Sequence, residues 1–141
     1  GQEVGAGHLY ELGHSRVEAV RFVTGDVGEM VLPENEFDGV VLDMMEPWKV
    51  LNNVVQSVKF DRSIVCICPN VTQLTAVAEH IQLNDLPLCL WRTVEVSERP
   101  WDIRPPVAHP SFRQPGHTAF LMQFRKSVRG PDIKHVPGSS P

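Results

Sequence analysis

Apolar residues in this chain fall into short unbroken runs separated by polar, Gly- and Pro-containing stretches, and two of those runs lead into apolar positions spaced three and four apart. Strands feeding helices give this pattern. The clearest instance is FDGVVLDMMEPWKVL, residues 37–51. Val40, Val41 and Leu42 are β-prone and apolar without alternation, as in a parallel strand covered on both faces. The run ends on Asp43. Pro47 suits the first turn of a helix, where its missing N–H would be unpaired anyway. Trp48, Leu51, Val55 and Val58 then recur on one helical face. In open α/β sheets, ligands sit outside the carboxyl ends of the strands. Residues 43–48 are therefore a candidate site loop, with the alternative that Asp43 merely caps the helix after it.

Residues 8–12 and 19–24 read as two further strands, ending near Tyr10 and Glu11 and near Gly25 and Asp26. Few residues separate them, whereas a parallel crossover needs about a dozen. That connection is either irregular or has lost a piece. Residues 27–36, with Gly28, Pro33 and Asn35, read as a loop. After the Pro47 helix, residues 59–62 form a polar break and 63–68 a strand that Pro69 closes. Asn70 followed by Gln73 is a capping-box pattern, and Leu74, Val77, Ala78 and Ile81 supply the apolar face of a helix. A turn at 84–87 leads to a strand at 88–96. Residues 97–115, carrying Pro100, Pro105, Pro106, Pro110 and Pro115, read as an irregular loop of a length that is usually functional or disordered. Residues 117–126 restore a strand, and 127–141 read as a disordered tail. Such alternation predicts an α/β fold with a mostly parallel sheet and a C-terminal antiparallel strand pair.

Composition narrows the class. With 141 residues, 42% of them hydrophobic, the chain supports one domain with a real core. We place that domain at residues 1–126 and the tail at 127–141. A net charge of −4 argues against a simple polybasic nucleic-acid binder, although it leaves room for a local basic patch. Cys66, Cys68 and Cys89 lie within apolar runs, which favours buried thiols over disulfides, and the spacing of Cys66 and Cys68 is not that of a zinc knuckle. No metal is expected. No segment approaches the roughly 18 apolar residues that cross a bilayer, which predicts a soluble chain. Its compartment, mitochondrial or cytoplasmic and nuclear, is not readable. The chain begins at Gly1, as an excerpt or a processed form would.

Four motifs occur in order and at suitable distances: LDMMEPW at 42–48, PNVTQ at 69–73, RPPVAHPSFRQ at 104–114 and GHTAFL at 116–121. Together they resemble the catalytic subunits of the tRNA (adenine-N1) methyltransferases, over roughly residues 7–126. The resemblance implies a Rossmann-like class I methyltransferase sheet, incomplete at its N-terminal side, that uses S-adenosylmethionine to methylate the T-loop adenine of tRNA. It also implies roles for residues. Glu11 would bind the cofactor's ribose hydroxyls, Asp26 would meet its adenine, and Asp43 would stand beside both cofactor and target base as the catalytic acid. His117 and Thr118, with Gln114 just before them, would face the substrate. For Asn70 and Gln73 the capping role suffices. Members of such a family are typically tetramers, which predicts a homo- or hetero-tetramer bound to tRNA and no membrane.

The departures from the family pattern are equally specific. The first strand and its Gly-rich loop, which cradles the cofactor's methionine end, are missing. Lys59-Phe60-Asp61-Arg62 replaces the usual Gly-rich turn before the strand at 63–68. The chain is thus expected to act only within a longer chain or assembly. A competing reading is a non-catalytic, methyltransferase-like binding or assembly subunit. The retained Asp43 favours the enzyme, and the missing Gly-rich loop favours the alternative.

Overall fold

The computed structural model describes residues 3–6, 20–113 and 116–133. In chain order they form strands β1 (Glu3–Ala6), β2 (Arg21–Val23) and β3 (Phe37–Leu42), a 3-10 turn (Pro47–Val50) running into helix α1 (Leu51–Ser57), and strand β4 (Val58–Cys68). Helix α2 (Val71–Leu83) and strands β5 (Leu88–Glu95), β6 (Trp101–Arg104), β7 (Val107–Pro110) and β8 (Phe120–Lys126) follow. The central sheet has the order β3, β4, β8, β5. β3 and β4 are parallel, and β8 runs antiparallel to both of its neighbours, β4 and β5. The sheet is mixed rather than mostly parallel, because β8 inserts between two strands that point the same way. No helix among the described residues is long and apolar enough to cross a membrane.

Alternation along the central strands decides where the core sits. Ile64, Cys66 and Cys68 of β4 and Met122 and Phe124 of β8 face one side and are buried. Leu51, Val54 and Val55 of α1 and Val77 and Ile81 of α2 complete the same cluster. Each such aliphatic side chain removed from water contributes about 1.5–3 kcal/mol. On the other side of the sheet, Val65, Ile67 and Leu121 are only half-buried and Val41 is 64% exposed. The coverage of β3 on both faces that its apolar run suggests is therefore not found. β3 is an edge strand paired only with β4 among the described residues, and in it only Leu42 is buried.

Other expectations change in instructive ways. The strand at 8–12 lies outside the described residues. The one at 19–24 is reduced to β2, which pairs antiparallel with β1 in a separate two-stranded sheet. Val58 belongs to β4 rather than to the helical face, so the helix is shorter than its periodicity implies. In the polar break, the register with β3 jumps from Phe37↔Val58 to Gly39↔Ser63, so five steps on β4 match two on β3. Asp61 takes a left-handed conformation there (φ 59°), one that Asp tolerates better than most residues, and thus stands in for a glycine. Lys59 bonds Asp38 across the bulge at 2.9 Å and holds that exposed carboxyl below its usual range.

The irregular loop expected at 97–115 contains a hairpin. β6 and β7 pair from Trp101↔Pro110 to Arg104↔Val107, and Pro105 and Pro106, joined by a cis bond, form its tip. Pro105 and Pro106 sit at the tip and Pro110 at a strand end, where no ladder N–H is required of them. Residues 127–133, assigned to the tail, instead fold back onto the free edge of β5. Leu90 N–H donates to Asp132 O (2.8 Å), Asp132 N–H to Leu88 O (3.1 Å), and Ile133 packs on the core. An edge strand's unpaired backbone groups supply the reason. Residues 134–141 lie outside the described residues.

Candidate active site

Leu42 is level with Cys66 in the β3–β4 register, so Asp43 leaves the sheet at the carboxyl end of its parallel pair. Pro47 and Val50 are buried and anchor the far side of the loop, while Asp43 to Glu46 are exposed. The N-cap position of the 3-10 turn is Glu46, and no side chain caps either that turn or α1. Asp43 is therefore not the helix cap that spacing alone allows. Asp43 and Met44 border a cleft of about 330 Å³ that runs beside β3, with Val40, Leu32 and Val54 among its walls.

Asp26 reaches the same loop from the other direction. Its Oδ1 accepts from Gly28 N–H (2.8 Å) and its carbonyl from Glu29 and Met30 N–H (3.0 Å each), which makes it a turn residue in its own right. A Cβ on Gly28 would stand 3.2 Å from Asp26 Oδ1, so the turn closes best around glycine. Asn53 of α1 fixes the turn by donating to Val27 O (2.7 Å) and Met30 O (2.8 Å). Asp26 thereby forms one wall of a cleft of about 410 Å³ whose other wall includes Met44, Met45 and Val50. Met44 is shared by the two clefts, so Asp26 and Asp43 converge on one loop. A carboxylate beside flexible thioethers suits a flat ring carrying an exocyclic amine, with the acid accepting from the amine and the methionines packing on the ring.

Glu11 and Gln114, the other residues singled out from sequence, lie outside the described residues. Asn70 caps α2, accepting from Gln73 N–H at 2.9 Å, while the reciprocal half of the capping box is absent: Gln73 Oε1 is buried without a partner. His117 and Thr118 lie ahead of β8 on the same carboxyl edge and line a cleft of about 250 Å³ with Glu95, Ser97 and Glu98. The His117 ring is bonded twice, through Nδ1 to Glu95 and through Nε2 to the Pro69 carbonyl (2.7 Å), and packs on Phe120 at 4.8 Å. Hydrogen bonding to Glu95, then to Pro69, raises its pKa above the ordinary histidine value. Glu95 was not singled out from sequence, since no local motif marks a lone acid at a strand end.

A further cleft, of about 420 Å³ between Phe60, Trp91 and Arg125, lies at the opposite end of the sheet. In open α/β sheets the ligand crevice is at the other end, outside the carboxyl ends of the strands. Asp43, Asp26 and the turn at His117 all gather at the carboxyl edge instead.

No family model matches the chain. It is 46% identical over 111 residues to the tRNA (adenine(58)-N(1))-methyltransferase TrmI of Thermus thermophilus, a match covering 79% of this chain and 43% of that protein. It is 31% identical over 104 residues to the tRNA (adenine(57)-N(1)/adenine(58)-N(1))-methyltransferase TrmI of Methanocaldococcus jannaschii, covering 72% and 35%. Among solved structures, the tRNA (m1A58) methyltransferase TrmI of Aquifex aeolicus superposes with a TM-score of 0.63 at 26% identity, covering 72% of this chain and 40% of that one. An S-adenosylmethionine-dependent O-methyltransferase of Thermotoga maritima gives a TM-score of 0.64 at 24% identity, covering 74% and 38%. The chain spans less than half the length of the curated relatives it matches. With the motifs at the carboxyl edge and this level of identity, the chain belongs to the tRNA (adenine-N1) methyltransferase family, of which it represents a C-terminal stretch.

Proposed function

We propose that the protein containing this chain transfers a methyl group from S-adenosylmethionine to N1 of adenosine 58 in tRNA. The observation that carries this reading is the convergence of Asp43 and Asp26 on the Met44 loop, at the carboxyl edge of a methyltransferase-like sheet. S-adenosylmethionine, when bound, supplies an electrophilic methyl group on a sulfonium. Asp26 would accept from the amine of the cofactor's adenine, Glu11 would hold the ribose hydroxyls, and Asp43 would stand between cofactor and target. The part of the site that grips the amino-acid end has no counterpart among the described residues, so activity is expected of the longer protein.

Asp43 is the catalytic residue in this reading. N1 of adenine has an available lone pair, so no base need first remove a proton. Positive charge instead develops on the adenine ring as the new bond forms. A carboxylate fixed beside the ring stabilises that charge and accepts from the exocyclic amine to set the ring's orientation. His117 and Thr118, with Gln114, form the substrate side. Assembly as a homo- or hetero-tetramer is part of the proposal. Its support is the β6–β7 hairpin, which holds Trp101 and Ile103 on one face at 55% and 66% exposure.

Asp43→Asn keeps shape and an acceptor oxygen but deletes the charge. Turnover should fall by about a hundredfold or more, with tRNA affinity little changed. Single-turnover methylation of a T-loop tRNA by the full-length protein measures this. A near wild-type rate from the folded, cofactor-bound variant would overturn the assignment of Asp43, whereas wild-type protein that binds tRNA and methylates none of it would favour the non-catalytic assembly subunit.

A further inference from the structure

Three strand ends meet at His117. Phe120, the first residue of β8, pairs with Cys68 at the end of β4 on one side and with Glu95 at the end of β5 on the other. His117, three residues earlier, spans the same gap one level further out, taking Glu95 on Nδ1 and the Pro69 carbonyl on Nε2. Both partners are acceptors, and a neutral imidazole has only one N–H to give. Only the imidazolium satisfies both. Pro69 also immediately precedes Asn70, the N-cap of α2, so the bond to its carbonyl fixes the corner where the chain turns from β4 into α2. That corner lies one strand over from Asp43 and two residues beyond its level in the register.

We propose that His117 is a positioning residue: held as an imidazolium between the Glu95 carboxylate and the Pro69 carbonyl, it locks the turn at 116–118 and the corner at Pro69 and Asn70 into one geometry beside the Asp43 loop. This rests on the methyl-transfer reading and deepens it, because both ring nitrogens are committed within the protein and His117 acts on the substrate through what it holds. Thr118, on the same turn, is the residue it presents. Two titratable groups line the ring's cleft among the described residues, Glu95 at the end of β5 and Glu98 in the segment after it, and of these Glu95 favours the charged ring. From the β4 side the facing group is the Pro69 carbonyl, and from β8 the uncharged Phe120 ring. Hydrogen bonding to Glu95 and to Pro69 outweighs the opposing effect of burial, so the folded-state pKa is raised. The sign of the pH dependence follows. The clamp contributes fully below the unfolded histidine value of about 6.5 and is lost as pH rises through the raised folded value.

The test pairs a spectroscopic reading with a kinetic one on the full-length protein. Long-range nitrogen-detected NMR of the imidazole should show His117 protonated on both nitrogens at neutral pH, and Glu95→Gln should lower its pKa. In tRNA methylation, kcat/KM should decline as pH rises through the His117 pKa, and in Glu95→Gln the decline should move to lower pH, leaving a loss of about tenfold near neutrality. A neutral His117 tautomer at neutral pH would overturn the proposal, as would pH–rate profiles that superimpose while NMR reports a lowered pKa in Glu95→Gln. Wild-type protein that shows the clamp by NMR but methylates no tRNA would instead sink the methyl-transfer reading and, with it, the assigned role of the clamp.

Discussion

Replacing Lys126 by Met separates two opposing effects at a buried charge. Lys126 is only 7% exposed, and its Nζ lies 2.8 Å from Asn35 Oδ1, 2.8 Å from Val58 O and 3.4 Å from Gln56 O. It also sits 4.6 Å from the Phe60 ring centroid. Burial holds its pKa below the ordinary lysine value, with Glu34 acting weakly in the other direction. Met retains most of the apolar stem, so the variant removes chiefly the ammonium. Asn35 and Gln56 are exposed and can exchange the lost bond for water, but Val58 is fully buried. Losing the bond to its carbonyl costs about 1–3 kcal/mol. Losing the cation–π contact adds about 0.5–1 kcal/mol. Relief of the ammonium's desolvation works the other way, and a net loss of about 2 kcal/mol remains. Urea unfolding of the full-length protein, followed by tryptophan fluorescence, measures it. A variant as stable as wild type, or more stable, would show that desolvation outweighs the three acceptors and refute the reasoning.

Two further outcomes follow from burial and exposure. Burial pushes the Cys66 thiol up to about 12 and raises that of Cys68, whereas Cys89 is only half-buried. Alkylation of the native protein at pH 8, read by peptide mass mapping, should therefore modify Cys89 and spare Cys66 and Cys68 until denaturant is added. Labelling of Cys66 at the rate of Cys89 would contradict the buried face of β4. Sedimentation of the full-length protein should show a tetramer, and Trp101→Ser with Ile103→Ser should shift it towards smaller species. An unaltered tetramer in that double variant would remove the hairpin from the assembly interface.

The elements around the proposed site were legible because their signals are local. Pro47 begins a helical segment and Asn70 caps α2, each through groups within a few residues. Val58 was assigned to the wrong element because three- and four-residue spacing cannot say where a helix stops when an apolar strand follows at once. The prolines of residues 97–115 disguised a hairpin, since proline excludes central strands but not turns and strand ends. Glu95 escaped notice because its partner, His117, is brought to it only by the pairing of β5 with β8.

The sequence by itself determined the alternation of strand and helix, the placing of Asp43 at a strand end, and the apolar positions that became the core. All are set by side-chain type and period along the chain, which operate within a few residues of each other. Only the tertiary structure decided that β8 runs between β4 and β5 and that residues 127–133 close the edge of β5. It also brought Asp26 to the Met44 loop and set His117 between Glu95 and Pro69. These are pairings between backbone groups and side chains far apart in sequence. Their energy depends on which strand edges and carbonyls remain unpaired once the local elements have formed, a quantity that no window of the sequence contains.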